Sequence, residues 1–121
     1  PMKNLILAAV FGLPALAQAD VLTCTFTEPF ITTSYSMVQQ KLSWVDNVTG
    51  RNTVVRNVSF QIKGPGQFEL MDENRNVLQT MILNFNGSDG MSDRVFPYEV
   101  KWNTKSLSGG CESNFLKATG P

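Results

Sequence analysis

The chain after residue 20 consists of short β-prone runs separated by turn residues, and no long segment there repeats apolar residues at helical spacing. The most regular alternation is the run 53–63, of which one face carries Val54, Arg56, Val58, Phe60 and Ile62. Such runs, with polar turns about ten residues apart, predict an all-β fold. We expect a small antiparallel barrel or sandwich of six to eight short strands.

The remaining runs add detail to this prediction. Residues 31–45 change the parity of their apolar positions near Gln39 and Gln40, which indicates a bulge or bend there. In the run 77–85, one face carries Met81, Leu83 and Phe85. Turns are predicted at 64–66, which reads Gly-Pro-Gly, and at the polar segment 72–76.

The first nineteen residues are predicted to be a secretory signal peptide. Lys3 gives a basic start, residues 5–16 form an apolar run, and the small-residue motif Ala-Gln-Ala at 17–19 is a cleavage site. An apolar run of twelve residues is too short to span a bilayer comfortably. A membrane anchor is therefore disfavoured.

Cleavage after residue 19 leaves one β domain, 20–121. Pro1 precedes the starting methionine and is interpreted as an added residue or a numbering choice. A lipid anchor is disfavoured because Cys24 lies well past the apolar run and follows the bulky Thr23. We expect a periplasmic or secreted protein without stable membrane insertion once the signal peptide is removed.

The cysteine content predicts a disulfide. The chain has two cysteines, Cys24 and Cys111, near opposite ends of the expected domain. In an exported protein an even pair most often forms a bridge. The alternative, two separate buried thiols, is disfavoured by the predicted export.

Charge and composition exclude several partners. Residues 20–121 carry nine Lys and Arg, which is the total of ten less Lys3, against ten Asp and Glu, so their net charge is −1. Without a basic field, a nucleic-acid partner lacks its electrostatic contribution to binding. No polybasic segment is present to bind anionic lipid.

The absence of histidine makes catalysis improbable. The chain has no His, so the common general base, the Ser-His-Asp triad and imidazole metal sites are missing. There is no Gly-rich phosphate loop or dinucleotide fingerprint. A pair of carboxylates is the remaining possibility, and the candidates are Glu28, Asp89, Asp93 and Glu99. We predict a protein without catalytic residues, cofactor or metal.

The stretch 88–98, Ser-Asp-Gly-Met-Ser-Asp-Arg-Val-Phe-Pro-Tyr, is dense in residues that form loops. With the asparagines before it, it faintly resembles a calcium loop, but it lacks the leading aspartates and the distal glutamate. We expect an ordered loop over 88–94 whose side chains bond its own backbone. We expect Arg94 to be partly buried and paired with Glu28 or, failing that, with Asp89. The same rigid loop could still be a recognition surface. The candidate residues for this recognition or structural loop are Glu28, Pro29, Phe30, Ser88, Asp89, Gly90, Met91, Ser92, Asp93, Arg94 and Tyr98.

Three islands of sequence carry a family resemblance. They are Cys24 with Thr-Glu-Pro-Phe at 27–30, Ser-Asp-Gly-Met-Ser-Asp-Arg at 88–94 with Phe-Pro-Tyr at 96–98, and Ser-Gly-Gly-Cys at 108–111. In this order they resemble a family of small exported or lipoprotein domains of proteobacteria, loosely associated with META-domain, heat-shock-like lipoproteins. The resemblance implies an envelope-located β domain and no particular reaction.

This chain departs from the family pattern in two respects. Ile31 stands where the relatives tend to have Trp after Glu-Pro-Phe. Relatives often have a second disulfide, whose positions here look like Gly87 and either Gly110 or Glu112. The resemblance therefore implies that both halves of that second bridge have been lost together.

We predict from these observations a non-enzymatic exported protein of the bacterial envelope, which binds an envelope protein or a small ligand. One alternative is a carboxylate-based hydrolase or calcium-dependent module that uses Glu28, Asp89 and Asp93. Another is a structural protein that assembles by pairing its edge strands with a partner chain or with a second copy of itself.

Overall fold

The computed structural model describes residues 21–27 and 29–120, which form nine β-strands and no helix. The strands are β1 (Val21–Phe26), β2 (Ile31–Ser36), β3 (Lys41–Asp46), β4 (Asn52–Arg56), β5 (Ser59–Gly64), β6 (Gln67–Met71), β7 (Val77–Gly87), β8 (Phe96–Trp102) and β9 (Leu107–Ser113). The predicted signal peptide lies outside the described residues.

All nine strands belong to one antiparallel sheet, in the order β4-β3-β2-β1-β9-β8-β7-β6-β5, which curls into a half-barrel. Strands that follow each other in sequence are paired, except for β4 and β5, and β1 pairs in addition with β9. The prediction of an all-β antiparallel fold is confirmed, whereas the expected number of six to eight strands is too low. Within the described residues no helix is long and apolar enough to cross a bilayer.

The run 31–45 contains a hairpin rather than a bulged strand. β2 and β3 pair from Ile31↔Asp46 to Ser36↔Lys41, and residues 37–40 form the turn between them. Gln40 completes this turn with a φ of 51°. The change in parity near Gln39 and Gln40 is thus the reversal of the chain.

The run 53–63 is also two strands, and they lie at opposite edges of the sheet. The break is at Asn57, which has a φ of 62°, and at Val58. The backbone of Val58 leaves the ladder because its N–H donates to Gln40 O (2.9 Å) and its carbonyl accepts from the Tyr35 hydroxyl (2.8 Å). Since only Asn57 and Val58 join β4 to β5, the two edges approach each other at this end of the sheet, although no ladder joins them.

The prediction that Met81, Leu83 and Phe85 share one face of the run 77–85 is wrong for Phe85. Strand pairing jumps from Leu83↔Tyr98 to Gly87↔Phe96, so β7 is bulged between these positions. Phe85 lies within the bulge at a φ of 54° and is 60% exposed, whereas Met81 is buried. Simple alternation cannot anticipate an irregularity of this kind.

The core fills the concave side of the half-barrel and contains the disulfide. Cys24 and Cys111 are direct register partners on β1 and β9, with their Cα atoms 4.0 Å apart and their side chains bonded. The predicted bridge is thereby confirmed. The large buried side chains around it are Leu22, Phe26, Tyr35, Leu42, Leu70, Met81, Tyr98 and Trp102. The bridge therefore fastens the two strands at the centre of the sheet.

Candidate functional site

Asp89 organises the loop 88–95, which connects β7 to β8. Its Oδ1 accepts bonds from the backbone N–H groups of Met91 (2.9 Å) and Ser92 (2.8 Å). Its Oδ2 accepts a bond from the Ser92 hydroxyl (2.8 Å). Ser88 Oγ in turn accepts from Gly90 N–H (3.0 Å). These local bonds fix the loop by its own side chains, which is the arrangement that Asp and Ser favour in turns.

The environment of Asp89 keeps its carboxyl group ionised. The side chain is buried, and burial by itself would raise its pKa. The bonds from Ser92 and Met91, together with the positive charge of Arg94, more than offset that effect and hold the pKa below its ordinary value. Asp89 is therefore a structural anion and a poor general acid.

The loop is also fastened to the far end of β1. The Thr27 hydroxyl donates a hydrogen bond to the carbonyl of Asp89. Gly90 follows with a φ of 79°, and a Cβ at this position would lie 3.1 Å from Thr27 Oγ1. Both the backbone conformation and the close approach favour glycine here. The loop thus lies across the sheet from the start of β8 to the end of β1.

Arg94 pairs with Glu112 on β9, a partner that the sequence did not suggest. Its Nη2 lies 3.8 Å from Glu112 Oε1, and its guanidinium lies 5.4 Å from the ring centroid of Phe96. The same Oε1 accepts a bond from Ala118 N–H (2.9 Å), so Glu112 also holds the C-terminal segment. The Arg94 side chain is 40% exposed. It is therefore less buried than the ion pairs in which the loss of one partner strongly destabilises the fold. Glu28, the partner first predicted, lies outside the described residues.

The structure separates the other predicted site residues. Pro29 and Phe30 are exposed in the turn between β1 and β2, and Met91 and Asp93 are exposed in the loop. Tyr98 is fully buried and faces the core, so it is not available to a ligand on the surface. Burial raises the pKa of its phenol, and the Ser113 side chain offsets this rise in part. Within 21–27 and 29–120, the hydroxyl has no hydrogen-bond partner of good geometry.

A surface groove runs beside the loop. Its first part has a volume of about 320 Å³ and is lined by Thr27, Asn86, Ser88, Asp89, Gly90, Glu99, Ser108 and Gly109. Its second part, about 370 Å³, shares Glu99, Ser108 and Gly109 and extends along β7 and β8 to Thr80, Ile82 and Lys101. We call these two parts together the loop groove. Most of its lining side chains are polar, but apolar atoms form the larger share of its surface, and exposed Ile82 lines its second part.

The positions that the resemblance assigns to a second disulfide lie around one phenylalanine. A Cβ at Gly87 would be 3.0 Å from the Cβ of Phe96, and a Cβ at Gly110 would be 2.8 Å from the same atom. Phe96 is buried but lies outside the central core cluster. It fills the space between the two glycines, where this chain has an aromatic ring and no sulfur.

The loop offers little to a metal ion. The described residues contain no group of three or more His, Cys, Asp or Glu side chains that could hold one. Calcium bound to Asp89 would have to replace hydrogen bonds that both carboxylate oxygens make within the loop. Glu99, the other acid of the groove, accepts a bond from Asn84 Nδ2 (2.6 Å).

A second concave site escaped the sequence analysis. We call it the mouth recess; it opens at the end of the half-barrel, has a volume of about 250 Å³ and is lined by Ile31, Trp44, Asp46, Arg51, Thr53 and Lys105. Trp44 stands edge-on to the buried Trp102, with ring centroids 4.9 Å apart. Lys105 Nζ lies 5.9 Å and 5.5 Å from these two rings. These residues come from three separate parts of the chain, so no local motif could reveal the site.

The fold and these concave sites define a small, disulfide-fastened, all-β protein with preformed surface recesses. Comparison of the chain with protein-family models, with curated proteins and with solved structures finds no match in any of the three. The resemblance to exported and lipoprotein domains therefore remains a proposal.

Proposed function

We propose that the protein is a non-enzymatic binding protein of the bacterial envelope, periplasmic or secreted, which recognises an envelope protein or a small ligand in the loop groove. The observation that supports this most is the bonding of Asp89 within its own loop. A loop whose polar groups are already satisfied holds its shape without a ligand, so binding costs little ordering of the chain. Rigid loops on a β scaffold commonly serve recognition.

The proposed compartment rests on two observations. The Cys24–Cys111 bridge suits an oxidising compartment. The first nineteen residues have the order of regions of a secretory signal. Intact mass of the exported protein tests this part: the expected chain begins at Asp20, and a mass that retains residues 2–19 would contradict it.

Binding accounts for the groove better than catalysis does. The carboxylates that line it among the described residues, Asp89 and Glu99, are both engaged in hydrogen bonds, and the pKa of Asp89 is lowered. A general acid needs a raised pKa instead. The hydrolase or calcium alternative predicts that calcium raises the melting temperature, whereas the binding proposal predicts no change.

The groove can be tested by placing a photo-reactive amino acid at Ser108, which lines both of its parts. Val45, an exposed residue of β3 outside the groove, is the matched control position. In envelope extracts we expect a discrete cross-linked product from position 108 that Glu99→Lys abolishes. Equal labelling from both positions, or no product from position 108, would refute a macromolecular partner at the groove. A small ligand is then tested by the thermal shift that an envelope metabolite extract causes in the unmodified protein and in Glu99→Lys.

One observation favours assembly as a second candidate. Both edge strands carry exposed apolar residues, Val54 at 45% and Ile62 at 60% exposure. The edges are nevertheless short, and β5 has an irregular register between Ile62 and Gly64 followed by Pro65, features that hinder pairing with another chain. Concentration-dependent sedimentation would reveal assembly, and Ile62→Lys should then abolish it.

A further inference from the structure

We propose that the mouth recess binds a sugar acid, that is, a monosaccharide-sized ring that carries a carboxylate. The recess is separate from the loop groove, so this proposal does not depend on the one above. Its volume of about 250 Å³ lies below the roughly 300–1,000 Å³ of sites for drug-sized ligands, so a single ring is the appropriate size. Mouths of β-barrels are common places for such sites.

The floor of the recess is apolar and fixed. Trp44 is half-buried, and its edge-to-face contact with buried Trp102, at an interplanar angle of 75°, sets the orientation of its ring. Ile31, which is 5% exposed, completes this floor. One face of a pyranose ring presents C–H groups while its rim presents hydroxyls. An indole beside polar groups therefore suits a sugar better than a purely polar recess would.

Lys105 holds a positive charge over this floor. Its ammonium lies near both indole rings and makes no ion pair with any residue from 21–27 or 29–120. The turn between β8 and β9 keeps it there, because Lys105 N–H donates to Trp102 O (3.2 Å) and Asn103 N–H donates to Leu78 O (2.9 Å). A cation held by rings alone can accept a carboxylate without giving up an existing partner.

The turn between β3 and β4 presents a second cation and a single acid. Asp46 N–H donates to Arg51 O (2.9 Å), and Gly50 N–H donates to Asp46 O (2.7 Å), which closes this turn. Asp46 Oδ1 accepts bonds from Val48 N–H and Thr49 N–H, while its Oδ2 has no hydrogen bond from the described residues. Arg51 likewise has no carboxylate partner among them. Asp46 Oδ2 can therefore accept a bond from a ligand hydroxyl.

The balance of these charges selects the class of ligand. Among the described residues that line the recess, Arg51 and Lys105 outnumber Asp46, so this lining is net positive and favours an anion. A neutral sugar would leave both cations without a partner. A simple alkyl carboxylate would offer nothing to Asp46, which would then face an anion across the recess. A ring with one carboxylate and several hydroxyls meets all three groups and the indole floor.

Titration followed by tryptophan fluorescence tests the proposal, since both tryptophans of the chain, Trp44 and Trp102, lie at or beneath the recess. The probes are D-glucuronate, D-glucose and acetate. We expect saturable binding of glucuronate that is at least about tenfold tighter than that of the other two, because each charge-assisted bond contributes about that factor. Calorimetry provides a second measurement that does not depend on fluorescence.

Variants at exposed cations identify the residues responsible. Arg51→Ala and Lys105→Ala should each weaken glucuronate binding about tenfold, whereas Arg56→Ala, at an exposed cation of β4 outside the recess, should leave it unchanged. The melting temperature should be unchanged in Arg51→Ala and slightly lower in Lys105→Ala, which also loses its two ring contacts. Equal affinity for glucose and glucuronate, an equal loss in Arg56→Ala, or no binding of any probe would overturn the proposal.

Discussion

Arg94 and Glu112 form an ion pair, 3.8 Å between Nη2 and Oε1, that links the end of the loop to β9 and through Ala118 to the C-terminal segment. The two side chains are 40% and 21% exposed, so water screens their attraction. The contact of Arg94 with the Phe96 ring adds a second, comparably small contribution.

Arg94→Ala should therefore lower the free energy of unfolding by about 1 kcal/mol, the sum of an exposed ion pair and a cation–π contact. Urea denaturation measures it, and Lys117→Ala, at an exposed cation of the same C-terminal segment, is the control. A loss of 3 kcal/mol or more would point instead to a buried ion pair. No loss would mean that neither contact stabilises the fold.

Asp89 should give the fold a dependence on acid pH. The pKa of Asp89 is lower in the folded protein than in the unfolded chain, so its ionised carboxylate stabilises the fold. This stabilisation is complete above the unfolded pKa of about 3.9. It is lost as the pH falls through the lower pKa of the folded protein. Asp89→Asn should cost about 1–2 kcal/mol at pH 7, and the difference from the unmodified protein should disappear towards pH 2.

Asp93→Asn is the matched control for this experiment, because Asp93 is exposed in the same loop and its carboxylate accepts no hydrogen bond from the described residues. The pKa of Asp72 is also lowered, and this contributes equally to the unfolding free energies of Asp89→Asn and of the unmodified protein. Its contribution therefore cancels when one free energy is subtracted from the other. A difference between Asp89→Asn and the unmodified protein that is constant over pH 2–7 would contradict the role assigned to the ionised carboxylate.

The disulfide should contribute a large part of the stability. For a sequence separation of 87 residues, the chain-entropy model gives about 4–5 kcal/mol. We expect a reducing agent to lower the denaturation midpoint of the unmodified protein and to leave a variant carrying both Cys24→Ala and Cys111→Ala unchanged. Thiol labelling of the unreduced, denatured protein should find no free cysteine; labelled thiols would show that the bridge does not form.

Gly110→Ala should destabilise the fold although it adds a single methyl group. A Cβ at Gly110 would lie 2.7–2.8 Å from Phe96, which is held between strand and loop and cannot easily move away. Overpacking of this kind costs about 1–3 kcal/mol. Ser108→Ala, on the same face of β9 but exposed, should change the unfolding free energy by less than about 0.5 kcal/mol. Equal stabilities of the two variants would contradict the tight contact.

The fold class could be predicted from the sequence because apolar and polar residues alternate in a strand that buries one face. Tyr98, Val100 and Trp102 alternate in the chain and are all buried in β8. The alternation of apolar and polar residues does not show where a strand ends when the residues of the turn continue the same alternation. Residues Asn57 and Val58 continue the period of two across the break between β4 and β5, so two edge strands looked like one.

The candidate site was predictable only where its bonds are local. Asp89, Ser92 and Gly90 bond within a few residues, and their types alone suggested it. The partner of Arg94 was not predictable, because Glu112 comes next to it only through the pairing of β8 with β9. The same holds for Lys105, which meets Trp44 across the open end of the half-barrel.

The pairing of β1 with β9 has a consequence for how the chain acquires its structure. Every other ladder joins strands that follow each other in sequence and can form as a hairpin soon after both have been synthesised. Strands β1 to β4 and β5 to β9 are thus two separate meanders, and only the contact of β1 with β9 merges them into one sheet. A ribosome-bound chain that lacks residues 107–113 would leave β1 and β8 as two additional open edges, exposed to wrong partners. The pairing of β9 with both neighbours therefore removes these two additional edges and leaves β4 and β5 as the edges of the sheet.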